Sequence, residues 1–65
     1  MIFYYLVQNI PDERAEDVNE LYAPKYGMSE HFTVDQLAEV MGVKRATAQR
    51  RLDRWIVEGF AVEVA

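Results

Sequence analysis

The segment from Val34 to Val62 places the strongest constraint on the fold, because two helix-forming stretches follow each other across a very short turn. Gly42 is predicted to end the first helix and Gly59 the second, since glycine adopts the left-handed conformation of a helix C-terminus at least cost. Lys44 to Glu58 is therefore predicted to be a helix about 22 Å long, at a rise of roughly 1.5 Å per residue. The predicted centre of the chain is thus a helix-turn-helix unit that leads into a strand.

The first helix of this unit carries the clearest start signals in the chain. Thr33 and Gln36 have the spacing of a capping box, and Phe32 and Leu37 have the spacing of a hydrophobic staple. Val43 is predicted to be an apolar anchor inside the turn. Apolar positions at helical spacing predict a buried face for each helix, formed by Leu37, Ala38, Val40 and Met41 on the first and by Ala48, Leu52 and Trp55 on the second.

Two short apolar segments at the ends of the chain are predicted to form the sheet. Residues 2–7 are rich in aromatic and branched side chains, and residues 60–64 alternate in the pattern of a half-buried strand that continues to Ala65. Since a lone strand leaves its backbone groups unsatisfied, we expect the two segments to pair antiparallel, with a short bridge near His31 and Phe32 at the edge. The sequence ends soon after this strand begins, so the wing is expected to be reduced or absent.

The N-terminal strand is apolar on both of its predicted faces. Side chains alternate along a strand, so Ile2, Tyr4 and Leu6 share one face, and the other consists of Phe3, Tyr5 and Val7. One face can meet the core. Half-exposed tyrosines are the favoured interpretation of the other face, and a seam between two copies of the chain is the alternative.

A further helix is predicted from Pro11 to Ala23, ended by Pro24. Its acidic residues lie near the N-terminus, where the helix dipole favours negative charge. One apolar stripe is formed by Ala15, Val18, Leu21 and Tyr22. The acidic face is predicted to be solvated rather than a metal site, because no other ligands converge on it.

Length and composition limit the class of protein. The chain has 65 residues, of which 51% are hydrophobic, and no cysteine. One domain spanning residues 1–65 is predicted, without disulfides or a Cys-based zinc site. No stretch approaches the roughly 20 apolar residues of a membrane span. The N-terminal run also lacks the basic start of a signal peptide, so a cytoplasmic protein without membrane contact is predicted.

Nothing in the sequence indicates catalysis. His31 is the only histidine, and it has no cysteine or second histidine beside which it could bind a metal. A phosphate-binding glycine loop, a nucleophile elbow and a zinc-binding His-Glu helix are all missing from the sequence. We therefore predict a protein that is not an enzyme and that uses no cofactor or metal.

Charge is distributed very unevenly along the chain, whose net charge is -4. Residues 1–43 carry two basic side chains against eight acidic ones, whereas residues 44–54 carry five basic side chains against one acidic one. Binding to a polyanion depends on the field at the contact surface more than on the total charge. The second helix of the helix-turn-helix unit is therefore the predicted binding surface.

The segment covering roughly residues 32–64 resembles the helix-turn-helix and wing entry of winged-helix transcription regulators. The resemblance rests on Leu37-Ala38 in the support helix, Gly42-Val43 in the turn, Ala48 and Leu52 in the recognition helix, and Gly59-Phe60 at the entry to the wing. It implies a small winged-helix domain of the α+β class, mainly α, with three helices and a small antiparallel sheet. The predicted pairing of strand 2–7 with strand 60–64 is a departure from the family pattern, in which a second wing strand follows the first. The resemblance further implies DNA binding and transcription regulation, although many winged helices bind proteins instead.

Double-stranded DNA is the predicted partner, with helix 44–58 inserted into the major groove. The side chains predicted to face the bases are Arg45, Ala46, Gln49 and Arg50, since arginine pairs with guanine and glutamine with adenine. The residues predicted to contact phosphates are Lys44, Thr47, Arg51 and Arg54. A homodimer is a further prediction, because one such module covers little DNA.

The alternative prediction is a protein-interaction module of the same fold, in which the basic helix docks on an acidic partner. The overall acidity of the chain and the shortened wing favour it. A solvated helix face is a third interpretation of the basic residues, with Arg51, Arg54 and Glu58 forming surface charge pairs at helical spacing.

Overall fold

The chain begins with one strand and ends with the strand that pairs with it. The computed structural model describes residues 1–28 and 30–64, and its elements are β1 (Phe3–Leu6), α1 (Asp12–Glu20), α2 (Val34–Met41), α3 (Arg45–Glu58) and β2 (Ala61–Val64). These elements confirm the predicted α+β class, mainly helical with a small antiparallel sheet. Ala65, which the predicted alternation included, lies outside the described residues.

The predicted pairing of the two terminal segments is confirmed. β1 and β2 are antiparallel, with Tyr5 opposite Val62 and Leu6 opposite Ala61. Each strand is shorter than predicted, and pairing runs over 3–6 and 61–64 instead of 2–7 and 60–64. The N–H of Phe60 donates to the carbonyl of Trp55, 2.7 Å away, at the end of α3, whereas the Phe60 carbonyl accepts a hydrogen bond from the Val7 N–H at 2.8 Å, so one backbone bond still joins residues 7 and 60 beyond the strands.

The predicted edge bridge is also confirmed. Tyr4 and Phe32 exchange two backbone hydrogen bonds, each 2.8 Å long. β1 therefore lies between β2 on one side and Phe32 on the other. Through this arrangement the N-terminal strand satisfies backbone groups of both the segment before α2 and the strand after α3.

The two faces of the sheet differ in burial, and register explains which residues face outward. Tyr4 and Leu6 are buried, whereas Phe3 and Tyr5 are each 40% exposed. In β2 the buried side chain is that of Ala61. Val62 is 37% exposed, because the residue opposite Tyr5 must share its outward face.

α1 is shorter than the predicted helix from Pro11 to Ala23. Its apolar stripe is confirmed, since Ala15, Val18 and Leu21 are buried and Tyr22 is half-buried. The backbone N–H groups of residues 21 to 23 donate to carbonyls three positions back, which tightens the chain into turns after Glu20. The tightening comes before Pro24, so the proline does not end this helix. The Tyr22 hydroxyl donates to the carbonyl of Leu6 and joins this turn to β1.

The start and end signals of α2 are confirmed. Thr33 Oγ1 accepts a hydrogen bond from the Gln36 N–H at 3.2 Å, and Gln36 Oε1 accepts one from the Thr33 N–H at 2.9 Å. Gly42 has φ 68° and ends the helix in the left-handed conformation. Val43 is half-buried in the turn, and its N–H donates to the Ala38 carbonyl at 3.0 Å.

α3 begins at Arg45, one residue later than predicted, because Lys44 has extended dihedral angles and serves as the N-cap. Ala48, Leu52 and Trp55 form its buried face, as predicted, and pack with Leu37 of α2 and the inner face of the sheet. Trp55 is 1% exposed and is among the largest fully buried side chains. Because α3 contacts both α2 and β2, its buried face sets the direction of its outer surface.

Candidate nucleic-acid interface

The outer surface of α3 is defined by the face that it buries. Opposite Ala48, Leu52 and Trp55 lie four exposed residues at a spacing of three or four, which we call the outer strip: Ala46, Arg50, Asp53 and Val57. Val57 is 86% exposed, which is unusual for a large aliphatic side chain. The outer strip is therefore charged in its middle, at Arg50 and Asp53, and apolar at its C-terminal end, at Val57.

One flank of the outer strip faces α2 and the N-terminus of the chain. Arg45 and Gln49 line a surface depression there together with Tyr4, Thr33 and Asp35. Arg45 Nε lies 2.8 Å from Asp35 Oδ1, and both side chains are more than two-thirds exposed, at 71% and 75%. Gln49 Nε2 donates to Asp53 Oδ1 at 2.9 Å. Both polar side chains on this flank thus already have carboxylate partners.

The opposite flank faces α1 and forms a depression that we call the α1–α3 groove. The groove is lined by Asp17, Thr47, Arg50, Arg51, Arg54 and Trp55. Arg54 Nε lies 3.7 Å from Glu58 Oε1, which is the predicted i,i+4 surface pair. Within residues 1–28 and 30–64, no carboxylate oxygen lies within 4.0 Å of the charged nitrogens of Arg50 or Arg51. Three guanidinium groups therefore share one depression with a single acidic side chain.

The structure divides the residues that were predicted to face bases. Ala46 and Arg50 lie on the outer strip, whereas Arg45 and Gln49 lie on the flank toward α2. Arg50 also lines the α1–α3 groove.

Three of the four residues that were predicted to contact phosphates lie together. Thr47, Arg51 and Arg54 line the α1–α3 groove, joined by Arg50. Lys44 is exposed at the N-cap of α3 and does not line the groove. Its separation follows from the helix start, since Lys44 precedes the first turn and is not part of the helical face.

Two acidic residues of this surface were not identified from the sequence as functional. Asp17 is exposed, as predicted for the acidic face of α1, and its Oδ2 also accepts a hydrogen bond from the indole Nε1 of Trp55 at 3.0 Å. A buried tryptophan needs an acceptor for its N–H, so the sequence did carry one signal for such a partner. Asp35, the partner of Arg45, carried no such signal, because their contact depends on how α2 and α3 cross.

The outer face of the sheet is a second exposed surface. Phe3, Tyr5 and Val62 are partly exposed there, and the rings of Tyr5 and His31 lie 5.6 Å apart between centroids. Val7 follows β1 and is half-buried, so it contributes less to the predicted seam than Phe3 and Tyr5 do. A dimer across this face stays a prediction.

Within residues 1–28 and 30–64, no three His, Asp or Glu side chains are placed to hold a metal ion. None of the helices in these two ranges has the length and hydrophobicity needed to cross a bilayer. Comparison of the chain with models of known protein families, with curated proteins and with solved structures gave no match.

Proposed function

We propose that this protein is a DNA-binding transcription regulator of the winged-helix type, which inserts α3 into the major groove. The observation that carries the proposal is the α1–α3 groove, where three arginines and a threonine lie beside the outer strip of an otherwise acidic protein. A concentration of positive charge on one helix favours a polyanionic partner. This function requires access to DNA, which supports a cytoplasmic location.

The dimensions of α3 suit the major groove. The groove of B-DNA is about 12 Å wide, which accommodates a helix of about 10–12 Å diameter. With Ala46 and Arg50 directed at base edges, the flank that carries Thr47, Arg51 and Arg54 approaches one phosphate backbone. Lys44 lies at the N-terminal end of the helix and is available to a phosphate there. Phosphate contacts set the orientation of the helix, and the base contacts give sequence preference.

Arg45 and Gln49 can contact bases only if their side chains leave the carboxylates of Asp35 and Asp53. An exposed ion pair such as Arg45–Asp35 contributes about 0–1 kcal/mol. A bidentate arginine–guanine pair contributes about 1–3 kcal/mol of discrimination. The exchange is therefore favourable at the correct base, and Asp35 and Asp53 hold the two side chains in position until DNA binds.

Selection of bound duplexes from a random pool, at low and at moderate salt, tests the proposal. An enriched motif supports sequence-specific regulation, whereas salt-sensitive binding without a motif supports a purely architectural role. The variant Arg50→Ala should weaken binding to the selected site far more than Arg14→Ala, which removes the same side chain from α1. Equal effects of the two substitutions would contradict a reading role for α3.

We further propose that two copies bind one two-fold DNA site. A single module of this size makes few base contacts, and useful specificity in helix-turn-helix proteins commonly comes from two half-sites about 10 base pairs apart. Sedimentation of the protein with the selected duplex measures the stoichiometry. A ratio of one protein to one duplex at saturation would contradict this arrangement.

A protein-interaction module remains the second candidate function, and one observation favours it. Val57 is 86% exposed on the same strip as Arg50, so the outer surface of α3 combines an apolar side chain with basic ones. Apolar contact and arginine are enriched at protein interfaces. An acidic protein partner would bind the same helix, and the absence of DNA binding at low salt would favour this function.

A further inference from the structure

The α1–α3 groove contains one carboxylate among three guanidinium groups. Among the described residues, Asp17 is the only acidic one that lines the groove, and Arg50, Arg51 and Arg54 supply the positive charge. Thr47 adds a hydroxyl group that can donate to an oxygen ligand. Arginine and threonine are suited to a phosphate group, which accepts several hydrogen bonds and carries negative charge.

Asp17 is held at this position by a buried partner. Its Oδ2 accepts the hydrogen bond from Trp55 Nε1 at 3.0 Å, and Trp55 is 1% exposed. The indole N–H needs an acceptor, but a neutral amide oxygen would serve that need equally well. The tryptophan therefore does not require the negative charge of Asp17. That charge acts instead on any anion that binds in the groove.

We propose that the α1–α3 groove is a binding site for one phosphate group and that the carboxylate of Asp17 limits the affinity of this site for phosphate. In a complex with DNA, the ligand is one phosphodiester of the backbone; this part of the inference rests on the proposed function. The carboxylate attracts the same guanidinium groups that the phosphate must bind, and it repels the phosphate itself. Its presence weakens the sequence-independent part of DNA binding.

A substitution that separates the charge from the hydrogen bond tests this role. Asp17→Asn retains an oxygen acceptor for Trp55 and removes the negative charge. Removing one like charge from the site should tighten phosphate binding by about three- to tenfold at low salt. Glu63→Gln is the matched control, because it changes the net charge equally at a β2 residue that does not line the groove.

The site itself is measured with inorganic pyrophosphate and without DNA. In an NMR titration of the full chain, the Nε–Hε signals of Arg50, Arg51 and Arg54 and the indole signal of Trp55 should shift and saturate. Asp17→Asn should lower the dissociation constant, whereas Glu63→Gln should change it by less than about twofold. Unshifted arginine signals, or equal effects of the two substitutions, would overturn the proposal.

Arg51→Gln provides a measurement that does not depend on altering Asp17. It should weaken pyrophosphate binding by about tenfold, the loss expected for one charged hydrogen bond, while Arg14→Gln should leave it within about twofold. Should Asp17→Asn prove unfolded in a thermal melt, this pair of variants decides whether the groove is the site. Equal weakening by the two glutamine substitutions would count against it.

A DNA titration then separates this inference from the proposed function. Asp17→Asn should raise affinity for the selected duplex and for an unrelated duplex by the same factor, because phosphate contacts carry no sequence information. An increase confined to the selected duplex would overturn the role given to Asp17. Pyrophosphate binding by a wild-type protein that binds no DNA would overturn the proposed function and leave the phosphate site in place.

Discussion

The indole Nε1 of Trp55 donates a hydrogen bond to Asp17 Oδ2 across 3.0 Å, and this bond joins α3 to α1 between residues 38 positions apart. Asp17→Ala removes the acceptor and leaves a buried N–H unsatisfied, which costs about 1–3 kcal/mol of unfolding free energy. Asp17→Asn keeps an acceptor and should cost much less. Urea unfolding followed by tryptophan fluorescence measures both variants. Equal losses for Ala and Asn would show that the hydrogen bond is not the stabilising contact.

The exposed pair of Arg45 and Asp35 should affect DNA binding more than stability. Asp35→Asn should change the unfolding free energy by less than about 1 kcal/mol, because surface ion pairs contribute little. The same substitution should strengthen binding to the selected duplex, since Arg45 no longer leaves a charged partner. Arg45→Ala should relax the sequence preference at one base pair. These two variants are compared by equilibrium binding to the selected duplex and to its single-base variants. If the base preference of Arg45→Ala equals that of the wild type, Arg45 contacts a phosphate or does not contact the DNA.

The capping box of α2 should contribute measurably to stability. Thr33→Ala removes the acceptor for the Gln36 N–H and should cost about 1 kcal/mol. Gln36→Ala removes the reciprocal bond to the Thr33 N–H. A double-mutant cycle of these two changes, measured by urea unfolding, should show a non-zero coupling energy because the residues bond to each other. Strictly additive losses would mean that the two bonds form independently.

Substitutions of Gly42, in the turn between α2 and α3, should destabilise the protein through backbone conformation and not through steric clashes. Gly42 has φ 68°, and in residues 1–28 and 30–64, apart from Gly42 and its two chain neighbours, no atom lies within 4 Å of the position that a Cβ would occupy. Gly42→Ala should therefore cost about 1–2 kcal/mol from the left-handed conformation alone. Gly42→Asn should cost less, because asparagine tolerates that conformation better. Thermal unfolding ranks the two variants, and a neutral alanine would indicate that the turn changes its conformation.

The hydroxyl of Tyr22 should make the fold sensitive to high pH. Burial raises the pKa of Tyr22 above its ordinary value of 10.0, and the hydroxyl donates to the Leu6 carbonyl. Because the folded pKa exceeds the unfolded one, the folded state holds this proton more tightly. The resulting stability is fully present below the unfolded pKa and is lost as pH rises through the folded pKa.

Tyr22→Phe has no proton to lose at this position. Its unfolding free energy should be lower than that of the wild type near neutral pH and should fall less steeply from about pH 9 to 11. Urea unfolding across this pH range measures the two slopes. Tyr26→Phe serves as the control, because it removes another half-buried tyrosine hydroxyl of the same loop region. Parallel slopes in the wild type and Tyr22→Phe would exclude Tyr22 as the source of the alkaline sensitivity.

Predictions from sequence were most accurate where the physical cause is local. The cap formed by Thr33 and Gln36 depends on residues three positions apart, and the helix stops at Gly42 and Gly59 depend on one backbone conformation each. The buried face of α3 follows from helical spacing. Boundaries were less accurate, as in α1, because hydrogen bonds to carbonyls three residues back tighten the chain before Pro24.

The pairing of the two strands was predicted without such a local signal. Pairing of the two ends was predicted by elimination, since the strand after α3 needed a partner and residues 2–7 were the only apolar candidate. The structure confirms the pairing and the bridge at Phe32. It also determines that Val62 faces outward beside Tyr5, because side-chain direction across a sheet depends on register.

By itself, the sequence determined the order of the elements, the capping box of α2, the glycine ends of α2 and α3, and the concentration of positive charge on α3. Only the tertiary structure decided that Arg50 joins Thr47, Arg51 and Arg54 in one groove, while Arg45 turns toward Asp35. Only the tertiary structure shows that Asp17 accepts a hydrogen bond from Trp55. The reason is physical: local signals act over one helical turn, whereas these groupings depend on the angles at which packed helices cross.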